Sequence, residues 1–245
     1  MKRLRTTILA CALVMTLSLL YAADPASSES VHDVAVPDAG QIIAGASAES
    51  DKITTAREAF INMPGDIAEL LTRQMREDMM MYYDADTIRA IYNNLGGMSK
   101  LQRPVTDNYL KCVISPVSTI TIKVLPYKGS KIIAAVYTID NPGMAADSQI
   151  MFYDERMRPL KVDKHIRLAR IQDFMHKMDH DQSKDLMSLI PFPMIEYTLL
   201  PETDDLNACL TSMEYIGIED AERLSPHIKP GIIYRWNGKK YVMEK

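Results

Sequence analysis

From about Thr87 onward the chain is a run of short segments that alternate in polarity or carry β-branched and aromatic residues, each closed within a few residues by turn formers. Connections this short exclude the long crossovers that parallel strands require, so they constrain the fold to antiparallel hairpins and meanders. The pattern predicts strands at Tyr109 to Ile114, Ser118 to Leu125, Lys131 to Ile139, Gln149 to Tyr153 and Pro159 to Val162, with turns at Lys128-Gly129 and Glu155-Arg156. It then predicts Ile195 to Leu200, Leu206 to Thr211, and a closing hairpin of Ile232 to Trp236 and Lys240 to Met243. The turn of that hairpin, Asn237-Gly238, is the most specific local signal in the chain.

Helices are expected in front of each strand group. A short one is expected around Thr55 to Met63, and Pro64-Gly65-Asp66 opens a longer one whose stripe is Ile67, Leu70, Leu71, Met75, Met79 and Tyr82, with Arg73, Arg76 and Glu77 turned away. Leu168, Ile171, Met175 and Met178 mark a second amphipathic helix, and Glu219 to Leu224 a short third. The two strand groups resemble each other: Val124-Leu125-Pro126 leads into Ala135-Val136-Tyr137-Thr138 as Leu199-Leu200-Pro201 leads into Ala208-Cys209-Leu210-Thr211. The expectation is an α+β fold of two tandem helix-plus-antiparallel-sheet units, residues 53–164 and 165–245, packed as one domain with helices on one sheet face.

Lys2, Arg3 and Arg5, the apolar run Ile8 to Leu20 and the small residues Ala22 and Ala23 read as a secretory signal peptide over residues 1–23. The apolar run is too short to span a bilayer, which takes about 20 residues, and no other segment approaches that length. Ile8-Leu9-Ala10-Cys11 imitates a lipoprotein box but sits too early in the leader to serve as one. Residues 24–52 are rich in Ala, Ser, Asp and Glu and lack aromatic side chains, the composition of a mobile linker. Loss of the leader's three cations moves the formal charge from −4 to −7, and an acidic chain without a basic cluster in its sequence argues against nucleic acid as a partner. Cys112 and Cys209 remain; their alternation patterns do not match, which favours two unpaired thiols over a disulfide.

The chain carries no Gly-rich phosphate loop, nucleophile elbow, Ser-x-x-Lys or His-Glu-x-x-His motif, and no cofactor signature. Asp179, Asp181, Ser183 and Asp185 imitate the start of a calcium loop, but Lys184 and Ile190 occupy the positions that need Gly and Glu. His176 and His180, with Asp173 one turn earlier, have the spacing of a helical metal chelate, set against the simpler reading of a solvated polar face. Of the many methionines, Met75 and Met79 belong to the apolar stripe, and only Met80 points away from it. Tyr234, Trp236 and Tyr241 gather on one face of the closing hairpin; there they are either core or, if that face is open, a stacking surface for a glycan, peptide or protein.

Met63-Pro64, Asn94-Leu95-Gly96-Gly97, Asp107-Asn108-Tyr109-Leu110, Leu125-Pro126, Asp147-Ser148 to Phe152-Tyr153 and Tyr234-Arg235-Trp236-Asn237-Gly238 together resemble a family of uncharacterised exported proteins of Bacteroidales-type Gram-negative bacteria, over about Phe60 to Val242. The resemblance implies an envelope location, in the periplasm or at the cell surface, and carries no catalytic residue with it. The function expected is therefore a non-enzymatic exported binding or scaffolding module, with an envelope protein or glycan as partner and no integral membrane segment in the mature chain. The alternatives are an enzyme of unrecognised type drawing on His165, His227 or the Asp173, His176 and His180 group, and a metal carrier using His176 and His180.

Overall fold

The computed structural model describes residues 52–65 and 69–244, all within one compact unit, Gly45–Lys245. The leader, the tail over residues 24–51, and the helix start expected at Asp66 and Ile67 lie outside the described residues.

Among the described residues, helical segments precede the first sheet, two of them with both ends described. In α1 (Ala56–Ile61) the Thr55 hydroxyl accepts from the Glu58 amide while the Glu58 carboxylate accepts from the Thr55 amide, a reciprocal cap. Glu69 and Leu70 are helical, the backbone breaks at Leu71 and Thr72, and α2 (Arg73–Asp84) starts anew where the Thr72 hydroxyl accepts from the Met75 amide, so the expected single stripe is interrupted. Its buried side chains are Arg76, Met79 and Met80, so the buried face is rotated from the expected one. Arg76 is held inside by donating from Nη1 to the Met63 carbonyl at 3.0 Å, and Met80 packs in the core instead of pointing away.

Seven strands follow as an antiparallel meander in sequence order: β1 (Ile91–Tyr92), β2 (Met98–Gln102), β3 (Tyr109–Ser115), β4 (Ser118–Tyr127), β5 (Ser130–Ile139), β6 (Asp147–Asp154) and β7 (Pro159–Leu160). The β4–β5 hairpin closes through the two residues Lys128 and Gly129, at φ +47° and +82°, the doubly left-handed turn that matches strand twist. After it come two short helices, α3 (Ile171–Phe174) and α4 (His180–Ser188). The chain then forms β8 (Ile195–Leu199), β9 (Leu206–Leu210), α5 (Ile218–Leu224), β10 (Ile232–Trp236) and β11 (Tyr241–Met243), giving a second antiparallel sheet in the order β11-β10-β9-β8. Its last hairpin uses the four residues 237–240, with the Asn237 side-chain oxygen accepting from the Lys239 and Lys240 amides.

The fold is thus α+β with two antiparallel sheets. One face of the larger sheet, through Leu110, Cys112, Ile120, Ile122, Ile133 and Ala135, packs with Phe60, Met79 and Met80 of the helices. Its other face, through Leu125, Ile132, Ala134, Val136 and Phe152, packs with Tyr197, Leu199, Leu206 and Tyr234 of the smaller sheet. Burial on both faces explains why β5 reads as a nearly unbroken apolar run, whereas β4 interleaves Thr119, Thr121 and Lys123 with its apolar residues. Cys112 is buried in the larger sheet and Cys209 half-buried in the smaller one, both as free thiols, and burial pushes both thiols up. Among the described residues no helix is long and apolar enough to cross a membrane.

Candidate functional site

The alternation of β10 places Ile232, Tyr234 and Trp236 on one face with Tyr241 of β11 beside them, and that face turns inward. Tyr234 is fully buried and donates its hydroxyl to the Arg167 carbonyl at 3.0 Å. Tyr241 is buried between Phe152 and Trp236, whose indole ring centroid lies 5.0 Å away. Trp236 is half-buried and donates from Nε1 to the Pro126 carbonyl at 2.8 Å. Burial pushes both tyrosine hydroxyls up. The open stacking face allowed by the sequence is corrected accordingly: these aromatics fasten the small sheet onto the large one, because a sheet face with this much apolar area is buried against its neighbour.

The helical face expected to carry Asp173, His176 and His180 does not form. Phe174 ends α3, Met175 makes an isolated bridge to Ile228, and the His176 amide donates to the His227 carbonyl at 2.8 Å, so His176 follows an extended connection and His180 begins α4. Asp173 is occupied by Arg167, which donates to both carboxylate oxygens at 2.9 and 3.0 Å, and this pairing holds its carboxyl below the usual range against the opposing effect of burial. Among the described residues, no group of three or more His, Cys, Asp or Glu side chains is placed to hold a metal ion.

His165 is set apart from the other histidines. Its ring is wedged between Tyr127, at 5.6 Å between centroids, and Phe152, at 5.1 Å, and Nδ1 lies 3.4 Å from the Lys239 carbonyl. Desolvation lowers its pKa from an ordinary value near 6.5, so the unfolded chain takes up a proton more readily than the folded one. Stability should therefore fall as pH drops below about 6.5. His165→Phe should flatten that part of a thermal-melting profile measured between pH 7 and pH 5; an unchanged slope would refute the assignment.

A different region has the features of a binding surface. A cleft of about 330 Å³ is lined by Leu168, Ile171, Pro193, Ile195 and Tyr197, with Asp147, Ser148, Arg170 and Gln172 supplying polar groups. It lies beside β8, the edge strand of the small sheet, where the Ile195 amide donates to Asp147 Oδ1 at 3.3 Å and the Tyr197 hydroxyl accepts from the Ala169 amide at 2.9 Å. Next to Pro193, Phe192 is 47% exposed and pairs with the ring of Tyr215 at 5.5 Å; Ile218, three residues further, is 80% exposed. Ser212 sets the geometry: its hydroxyl accepts from the Met194 amide and donates to the Phe192 carbonyl, both at 2.7 Å. Ile139 and Met144 are also exposed at this end of the strands. An apolar hollow with a few polar groups, one of whose lining residues adjoins an exposed aromatic pair, has the character of a recognition site. Sequence reading did not single out these residues. The available signal was Pro191-Phe192-Pro193, an aromatic held between two residues that cannot donate to a strand ladder.

These features define a class: an α+β domain of two packed antiparallel sheets with an apolar cleft at one end. The chain belongs to the family described as Protein of unknown function (DUF3256), whose model matches residues 49–241. It is similar in fold to a solved domain of an uncharacterized protein from Porphyromonas gingivalis W83, at 23% identity and a TM-score of 0.66, over 77% of this chain and 96% of that one. No curated protein matches the chain.

Proposed function

We propose that this is an exported, non-enzymatic binding or scaffolding module of the cell envelope, and that the apolar cleft with its rim of Phe192, Tyr215 and Ile218 receives a protein partner. The observation that carries this reading is an apolar cleft whose lining residue Pro193 adjoins the exposed Phe192, itself paired with the Tyr215 ring, since neighbouring apolar groups gain most when covered together. Among the described residues His165, His176 and His180 do not converge in a pocket as an acid–base pair would require: His165 is wedged between aromatic rings, while His176 and His180 are exposed on separate elements. Export rests on the basic and apolar leader, with the periplasm or the cell surface as destination. The two sheets are read as a duplicated unit, supported by Val124-Leu125-Pro126 and Leu199-Leu200-Pro201, each of which closes the first strand of a hairpin.

Purification of the tagged chain from envelope extracts after mild crosslinking should yield one enriched partner. Phe192→Glu and Leu168→Glu, both at exposed positions, should abolish its recovery without lowering the melting temperature. Equal recovery with both variants would refute the cleft as the binding surface.

A further inference from the structure

At the opposite end of the strands, where the β4–β5 and β6–β7 turns lie, a hollow of about 460 Å³ opens among Lys52, Lys131, Arg156 and Arg158. Against these four cations stand two carboxylates, and both are committed. Asp154 accepts from the Arg156 and Arg158 amides at 2.9 and 3.0 Å and from Arg158 Nε at 2.7 Å, which fixes the turn; Glu155 pairs with Lys52 at 3.1 Å. Lys131 spends one donor on the Thr54 carbonyl at 2.6 Å and keeps two N–H groups. Arg156 is exposed, and among the described residues its guanidinium meets no carboxylate. The hollow therefore holds two uncompensated positive charges in a chain whose formal charge is −4. Lys52 and Arg156 also border an adjoining hollow, where Glu58 supplies a carboxylate and Arg73 is paired with Glu77 at 2.9 Å, so the uncompensated charge is concentrated in the first cavity.

The floor has a different character. Tyr127, Ile132, Leu160 and the His165 ring line it, the His165 ring meeting Tyr127 edge-on and Phe152 at a tilt, which makes this part of the lining largely apolar. Cationic donors around an apolar floor suit an anion carried on a larger body. Two net positive charges match a phosphate monoester, a dianion near neutral pH, better than a carboxylate with its single charge. The volume falls in the range of small-ligand sites, about 300–1,000 Å³, and leaves room beyond the oxyanion itself.

We propose that this hollow binds a phosphate monoester carried on a sugar-sized or lipid headgroup, with Arg156 and Lys131 as the principal anion contacts. The site lies at the far end of the strands from the apolar cleft and stands or falls independently of it.

The test is isothermal titration of the mature chain with a hexose monophosphate and with the unphosphorylated hexose, alongside co-sedimentation with vesicles containing phosphatidic acid. Saturable binding of the monophosphate alone, weakened about tenfold or more by Arg156→Glu and by Lys131→Glu, is the expected result. Sedimentation with the vesicles that is sensitive to the same variants, with no binding of the soluble ester, would support the same phosphate chemistry and assign its source to a lipid. Binding to neither, or binding that Arg156→Glu leaves unchanged while the melting temperature is also unchanged, would overturn the proposal.

Discussion

Replacing Lys123 with Ala should cost about 3 kcal/mol of unfolding free energy, although no catalytic or binding role is assigned to this lysine. Lys123 projects from β4 toward the small sheet and is 1% exposed. Its ammonium donates to the Leu200 and Pro201 carbonyls at 3.0 and 2.9 Å and lies 5.6 Å from the centre of the Tyr109 ring. Burial lowers its pKa, while the Asp204 and Glu202 carboxylates act in the opposite direction. The β8–β9 connection is thus fastened to the large sheet by one charge. Truncation removes the donor, leaves two carbonyls without it, and opens a cavity. In urea titrations the midpoint should drop with little change in slope. Lys123→Met, which refills the volume without donating, should fall between wild type and Ala. A loss below about 1 kcal/mol for Lys123→Ala would show that the connection is held by other contacts.

The second large effect is expected at Phe152. This side chain is 1% exposed between the sheets and touches the rings of both His165 and Tyr241. Phe152→Ala should destabilise by about 3–5 kcal/mol, through lost transfer free energy and a cavity that rigid strands on both sides close poorly. Phe192→Ala, the same chemical change at the exposed rim, should stay within about 0.5 kcal/mol. The contrast separates a phenylalanine that holds the sheets together from one offered to solvent. Similar costs at both positions would contradict the two-sheet core.

Much of this architecture is legible in the sequence, for definite reasons. Strands β3 to β6 and β8 to β11 fall close to their expected positions because alternation and short turns are local signals, and Lys128-Gly129 closes its hairpin as its composition suggests. β1 and β2 were hidden by their brevity and by the Asn and Gly residues between them, which read only as turns. The helix expected through Leu168, Ile171, Met175 and Met178 breaks after Phe174, because Met175 pairs with Ile228 in a contact that no local pattern encodes. Arg76 shows the same limit: a charged residue is expected on the wet face, and the Met63 carbonyl, thirteen residues earlier, draws it inside. The aromatic hairpin was ambiguous for a related reason. Alternation shows that Tyr234, Trp236 and Tyr241 share a face, but which second layer covers that face is decided by residues far away in the chain.

The cleft and the basic hollow were illegible on the same grounds. The cleft draws Asp147, Leu168, Ile171 and Pro193 from separate elements, and the hollow combines Lys52 with Lys131 and Arg156. Neither spacing forms a motif, and the acidic total hides a local excess of positive charge.

The most direct test of the proposed function is site-specific photo-crosslinking in intact cells, with a photoactivatable side chain at position 192 beside the cleft and, separately, at position 233 on the outer face of the small sheet. Both positions are exposed and neither contributes to the core. A single discrete adduct formed from position 192 and absent from position 233 is the predicted result. No adduct from position 192, or the same adduct from both positions, would contradict the cleft as the surface through which this protein acts.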